Sequence, residues 1–170
     1  MDWLSSVQVL YSLRMLIRRF KSGFTILEVL IVLAVFGLLA TLAALSLNSA
    51  RARVRDAQRL SDVSTISVAL SRYWLEKATY PSSAGVVLGA PGTKTEVLSA
   101  GGFEAREKAQ SPVYLDRLPM GPKVGEYYRY KGGANGYSIR FSTESDTELG
   151  KANVFYANSN GVTDGKDEEK

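Results

Sequence analysis

Hydrophobic and polar positions divide this 170-residue chain into three stretches. Residues 24–47, FTILEVLIVLAVFGLLATLAALSL, are apolar on every side, and Glu28 is their one charge. A helix apolar all round has no face to turn to water. The stretch is long enough for a bilayer core, which needs about 20 residues. Residues 48–78 change to an amphipathic pattern. Val54, Ala57, Leu60, Val63, Ile66, Leu70 and Tyr73 recur three or four positions apart, the spacing of one helical stripe. Such a stripe predicts a partner surface. Arg51, Arg55, Arg59, Asp62 and Arg72 fall on the opposite face. Gly37 is the only Gly or Pro between Phe24 and Tyr80. The two stretches are therefore expected to run as one helix, roughly 80 Å long at about 1.5 Å per residue.

Past residue 78 the period changes. Pro81 blocks continuation of the helix. Residues 81–112 are punctuated by Gly85, Gly89, Pro91, Gly92, Gly101, Gly102 and Pro112. They read as loop, with one short helix near 103–109. Three strands follow: EYYRY at 126–130, YSIRFST at 137–143 and ANVFYAN at 152–158. The Gly- and Asn-rich residues 131–136 form the first turn. Tyr137, Ile139 and Phe141 alternate with Ser138, Arg140 and Ser142, which buries one face of a sheet. The tyrosines read as sheet packing rather than as a ligand platform. The expected fold class is α+β: a long N-terminal helix, its first half transmembrane, packed on a small antiparallel sheet of three strands within residues 79–170.

Composition removes several functions. The chain has no Cys and no His. Disulfides, thiolate metal sites and the nucleophilic arrangements that use Ser-His or Cys-His are excluded. No other catalytic constellation stands out, so an enzyme is not expected. The net charge of +4 is too small to argue for a nucleic-acid binder. It is also unevenly placed, with +3 on residues 1–23, +3 on 48–77 and −1 on 78–170. The arginines from Arg51 to Arg59 invite a DNA reading, but no aromatic side chain interleaves them. Phospholipid headgroups or a solvated face suit them better. A cleaved secretory signal is disfavoured, because its apolar region would be shorter and the Ala50-Arg51-Ala52 site carries an Arg.

Glu28 is the residue that most needs an explanation. A carboxylate inside an apolar span is costly and calls for a partner. It also completes Thr25-Ile26-Leu27-Glu28, the T-x-x-E form of a helix cap. The run Gly23-Phe24-Thr25-Ile26-Leu27-Glu28, behind a basic stretch and ahead of the apolar helix, resembles the processing signal of type IV prepilins and type II secretion pseudopilins. Arg-Asp-Ala-Gln-Arg at 55–59, Leu60-Ser61-Asp62, Tyr73 and the Tyr80-Pro81 pair are also similar to that family. The resemblance implies residues 1–23 as a leader and a prepilin peptidase that cuts after Gly23. It implies N-methylation of Phe24 and a role for Phe24 and Glu28 in assembly. The implied partners are further copies in a helical homopolymer, an inner-membrane assembly platform, minor pilins or pseudopilins, and lipid before assembly. The implied location is the inner membrane, with the C-terminal domain outside the cytoplasm, and then an extracellular or periplasmic filament. Gly37 is expected to loosen the helix once it leaves lipid.

The sequence departs from the family in places. Lys77-Ala78-Thr79 stands where an Asn-Gly turn is usual, and Gly121 replaces an Asp before the first strand. The absence of Cys points to pseudopilins or cysteine-free pilins. The family's major pseudopilins bind calcium through a C-terminal loop. Asn158, Asn160, Asp164 and Asp167 offer oxygen ligands of that type, against the plain alternative of a solvated terminus. The rival from another class is a single-pass membrane-anchored binding protein that does not polymerise. Translation from Met15 gives the short basic leader MLIRRFKSG, and Met15 is the expected start. Mass spectrometry of the protein in cells should then find no peptide from residues 2–13; detecting one refutes the internal start.

Overall fold

The computed structural model describes residues 23–165. The leader assigned to residues 1–23 lies outside them except for Gly23. The described chain divides into two units, within residues 1–44 and 45–170.

The first unit holds the beginning of α1 (Ile26–Lys77). Thr25 caps the helix: its Oγ1 accepts the Glu28 N–H at 3.2 Å, and its carbonyl accepts the Val29 N–H at 3.2 Å. Gly37 does not interrupt α1. Thr41 Oγ1 donates back to the Gly37 carbonyl at 2.8 Å, a bond internal to the helix. The apolar side chains here are exposed, with Phe24 at 78% and Ile26 at 83%.

The second unit contains the rest of α1 and two antiparallel sheets. Its large sheet has the order β1 (Ser83–Val87), β5 (Arg129–Gly133), β6 (Gly136–Ser142), β7 (Val154–Asn158) and β8 (Gly161–Asp164). The small sheet places β2 (Val97–Ser99) between β3 (Gly102–Glu104) and β4 (Val113–Leu115). The α+β architecture holds, but the expectation of three strands is corrected to five plus three. Strands β1 to β4 are too short, and too interrupted by Gly and Pro, to show a period of their own. The short helix expected near 103–109 is β3 followed by one 3-10 turn, Arg106–Lys108. The turn expected over 131–136 narrows to Ala134 and Asn135, because residues 131–133 continue β5 and pair with β6.

One core joins helix and sheets. Val63, Ile66, Leu70 and Tyr73 of α1 pack on Tyr128, Tyr130, Tyr137, Ile139, Phe141, Phe155 and Ala157. Leu88, Leu98 and Leu118 close it from the small sheet and its flanks. The tyrosines on the inner face are packing residues. Tyr130 and Tyr137 stack at 6.4 Å, and Tyr80 meets Tyr137 edge-on at 4.9 Å. The Tyr130 hydroxyl donates to the Pro81 carbonyl at 2.9 Å. That bond ties the central strands to the segment that leaves the helix. The exit itself uses a left-handed residue, Ala78 at φ 53°, a position that Gly or Asn would take with less strain.

Two of the apolar-stripe assignments fail. Val54 is 69% exposed and Ala57 is exposed, whereas Asp56 and Arg59 are buried. The buried seam is Asp56, Arg59, Val63, Ile66, Leu70 and Tyr73, again three and four apart. Its first two members are charged, so a search for apolar residues passes over them. Arg59 and Asp62, expected on the solvated face, therefore turn inward. The Asp62 carboxylate accepts the Tyr128 hydroxyl at 2.8 Å.

Gly132 admits the Tyr130 ring. A Cβ there would lie 2.1 Å from the Tyr130 hydroxyl. Since Tyr130 is fully buried, the ring has nowhere to move. Gly132→Ala is expected to cost about 1–3 kcal/mol in thermal unfolding of the full chain, the usual range for overpacking; an unchanged midpoint contradicts this packing.

Candidate functional site

The N-terminal segment presents its reactive backbone openly. Gly23 and Phe24 are exposed and precede the first helical residue, so their peptide bond is not held in helical hydrogen bonding. A side chain at Gly23 would meet no atom within 4 Å. Glu28 has its backbone N–H committed to the Thr25 cap. Its carboxylate is exposed and makes no hydrogen bond or ion pair among the described residues. The cap therefore uses the main chain of Glu28 and leaves the charge available.

A second polar centre sits in the head. Arg59 is 1% exposed. Its Nε and Nη2 donate to the two Glu126 carboxylate oxygens at 2.6 and 2.9 Å. Nη2 also donates to Glu144 at 2.6 Å, and Nη1 to Asp56 at 2.6 Å. The fork geometry of a guanidinium suits such shared recognition. Arg55 and Lys123 add two more cations on Glu144, at 2.6 and 2.8 Å. Three cations thus meet three carboxylates. Asp56 has further partners in the Glu144 N–H, the Ser145 N–H and the Ser145 hydroxyl, at 2.9, 2.8 and 2.5 Å. The cluster pins two loops to α1: the one before β5 through Glu126, and the one after β6 through Glu144 and Ser145.

Gly121 explains itself here. A Cβ at that position would lie 2.5 Å from the Glu126 side chain. The glycine makes room for a partner of Arg59.

Electrostatics follow from these contacts. The Arg55 hydrogen bond, with those of Lys123 and Arg59, holds the Glu144 carboxyl well below the usual carboxylate range. Arg59 lowers Glu126 in the same way. Burial pushes Asp56 up, but the bonds from Ser145, the Glu144 N–H and Arg59 outweigh it and leave a net lowering. Asp62 goes the other way, raised by burial. The Glu126 hydrogen bond leads in holding Arg59 charged at any accessible pH.

Comparison with known proteins shows the family of the chain. Residues 18–44 match the model of the prokaryotic N-terminal methylation motif, which spans Gly23, Phe24 and Glu28. The type II secretion system core protein G of Klebsiella michiganensis is 32% identical over 129 residues, 76% of this chain and 87% of that protein. The chain belongs to the core protein G family. Proteins of the same name from Pseudomonas aeruginosa and Escherichia coli are 27% and 26% identical over 133 and 130 residues. They are covered to 89% and 86% of their length. No solved structure matches the chain. As a pseudopilin of this family it is a structural filament subunit.

Three of the four calcium candidates lie on the β7–β8 hairpin. Asn158 ends β7, and its Oδ1 accepts the Asn160 N–H at 2.9 Å, closing the turn into β8. Asp164 pairs with Phe155 at the other end of the two strands. Three steps of roughly 3.3 Å separate it from Gly161, the partner of Asn158. Among the described residues, no group of three or more acidic side chains is placed to hold a metal ion. Asp167 lies outside the described residues. Residues 161–164 form an edge strand and remain largely solvent-exposed.

The sequence reading missed the Arg59 cluster. A usable signal was present: the i, i+3 pair Asp56–Arg59 continues the buried seam by one more turn.

The ion cluster predicts acid sensitivity. Asp56, Glu126 and Glu144 have folded values below their unfolded ones. Their contribution is therefore complete above the ordinary carboxylate range and is lost as pH falls through the folded values. Asp62, with a raised value, opposes this and regains stability on protonation. Three lowered groups outweigh one. The thermal midpoint of the full chain in detergent should fall between about pH 5 and about pH 2. Arg59→Met should cost about 3–5 kcal/mol at neutral pH and flatten that dependence. An equally steep acid transition in the variant would contradict the assignment.

Proposed function

We propose that a prepilin peptidase cuts this pseudopilin after Gly23 and that the new Phe24 amine is N-methylated. Polymerisation then proceeds through residues 24–47 into a helical homopolymer. The observation that carries this reading is an exposed apolar helix headed by an exposed Gly23–Phe24 bond, with the Glu28 carboxylate making no hydrogen bond or ion pair among the described residues. Cleavage creates a cation at Phe24. In the low dielectric of packed helices, that cation and Glu28 stabilise each other, and either one alone is strongly unfavourable. Pairing between neighbouring copies would therefore set the axial register.

On this reading the subunit waits in the inner membrane, with residues 48–170 outside the cytoplasm, and ends in a periplasmic filament. An assembly platform and minor pseudopilins are the further partners. No catalytic role and no DNA binding are proposed.

The N-terminal residue of protein extracted from membranes tests the processing step. N-methyl-Phe at position 24 supports the pseudopilin reading; an intact leader supports the unpolymerised anchor. Glu28→Leu should lower filament yield by about tenfold or more, which corresponds to ~1.4 kcal/mol. Wild-type yield would leave Glu28 as a helix cap alone.

A further inference from the structure

The ion cluster also fixes which loops lie at the lower end of the head, the end where α1 enters it. Contacts between sheet and helix descend in order. Tyr130 meets the segment beyond the helix at Pro81, Tyr128 meets Asp62, and Glu126 meets Arg59. Lys123 meets Glu144 beside Arg55, and Ser145 meets Asp56. Continuing past these contacts, the loops around Val124 and Leu149 hang at the end of the head closest to Leu47. At about 1.5 Å per residue, Asp56 stands only ~14 Å along the helix from Leu47, where the apolar stretch ends.

These loop ends do not resemble an ordinary solvated surface. Val124, at the tip of its loop, is fully exposed, and Met120 and Leu149 are 46% and 37% exposed. Arg51, Arg53, Lys123 and Lys151 are exposed around them. The exposed acids of these loops are Glu144, Asp146, whose Oδ1 accepts the Ala152 N–H, and Glu148. Glu126 is half-buried on Arg59, and Glu144, though exposed, is paired with Arg55, Arg59 and Lys123. With Lys123 and Glu144 paired to each other, Arg51, Arg53 and Lys151 outnumber the remaining exposed acids, Asp146 and Glu148.

We propose that this end of the head docks on the anionic phospholipid headgroups of the bilayer that carries α1, with Val124 as its apolar tip, while the subunit awaits assembly. The inference rests on the membrane-inserted reading above. The chemistry is that of an interfacial contact: apolar side chains at the acyl boundary, with Arg and Lys at the phosphates. The single span adds a tether, so even weak docking is favoured by the high local concentration of lipid. It also revises the expected headgroup contact of the arginines from Arg51 to Arg59. Arg51 and Arg53 keep it, Arg55, Arg59 and Lys123 are spent on carboxylates, and Lys151 joins the two free arginines.

The chain has no Cys, so single labels can be placed cleanly. Full-length protein carrying a fluorophore at Val124→Cys, or at Ala134→Cys in the β5–β6 turn, is reconstituted in phosphatidylcholine nanodiscs with or without phosphatidylglycerol. A quencher is attached to the lipid headgroups. Co-elution with the disc reports the span, and quenching reports the docking. The Val124 label should be quenched severalfold more than the Ala134 label, and chiefly with phosphatidylglycerol present. Arg53→Gln and Lys151→Gln should each lower the docked population about fivefold, the Boltzmann factor of one headgroup-level cation. Equal quenching of both labels, or quenching indifferent to phosphatidylglycerol, overturns the docking and leaves the span standing. Disulfide pairing of Val124→Cys copies in one disc would assign the face to a second subunit instead. A chain that leaves the disc overturns the span and the docking together.

Discussion

The apolar side chains of residues 24–47 are exposed, and water is not a medium in which that much hydrocarbon can remain. That constraint orders the rest of the molecule. The helix must be surrounded by lipid or by other helices, and a filament of identical subunits supplies the second environment from the first. Glu28 becomes intelligible only there. In the single chain its main chain helps close the first turn while its carboxylate has no partner among the described residues. A charge kept in a segment that must be buried needs a counter-charge, and cleavage at Gly23 would create one.

The same helix meets the head by different means. Its buried seam begins with charge, Asp56 and Arg59, and becomes apolar at Val63. A guanidinium shared by three carboxylates is directional, whereas the apolar contacts above it tolerate sliding. The ionic end therefore sets how the two loops attach to α1, and the aromatic end supplies most of the buried area. Burying so many charges is not obviously stabilising compared with an apolar seam. Its value lies in geometry: Glu126, Glu144 and Ser145 can dock on α1 in one register only.

Legibility in the sequence followed periodicity. The long helix was plain, because Phe24 to Tyr80 holds a single Gly and two clear hydrophobic patterns. Strand β6 was plain for the same reason, with Tyr137, Ile139 and Phe141 in alternation. Strands β1 to β4 were not, since three of the four have only three residues and draw their stability from Leu88, Leu98 and Leu118 in the shared core. The edge strand β8 was hidden by its composition: Gly161, Thr163 and Asp164 look like a tail until β7 offers them a partner. At the candidate site, the short motif Gly23-Phe24-Glu28 was visible because processing acts on local sequence. The Arg59 cluster was not, because two of its three carboxylates come from residues 67 and 85 positions away.

The most direct test of this account is a filament reconstruction at side-chain resolution. It should place residues 24–47 along the axis, with the Phe24 amine of one subunit within hydrogen-bond distance of Glu28 in a neighbour. A filament in which residues 24–47 lie outside the core, or in which Glu28 faces no cation, would contradict it.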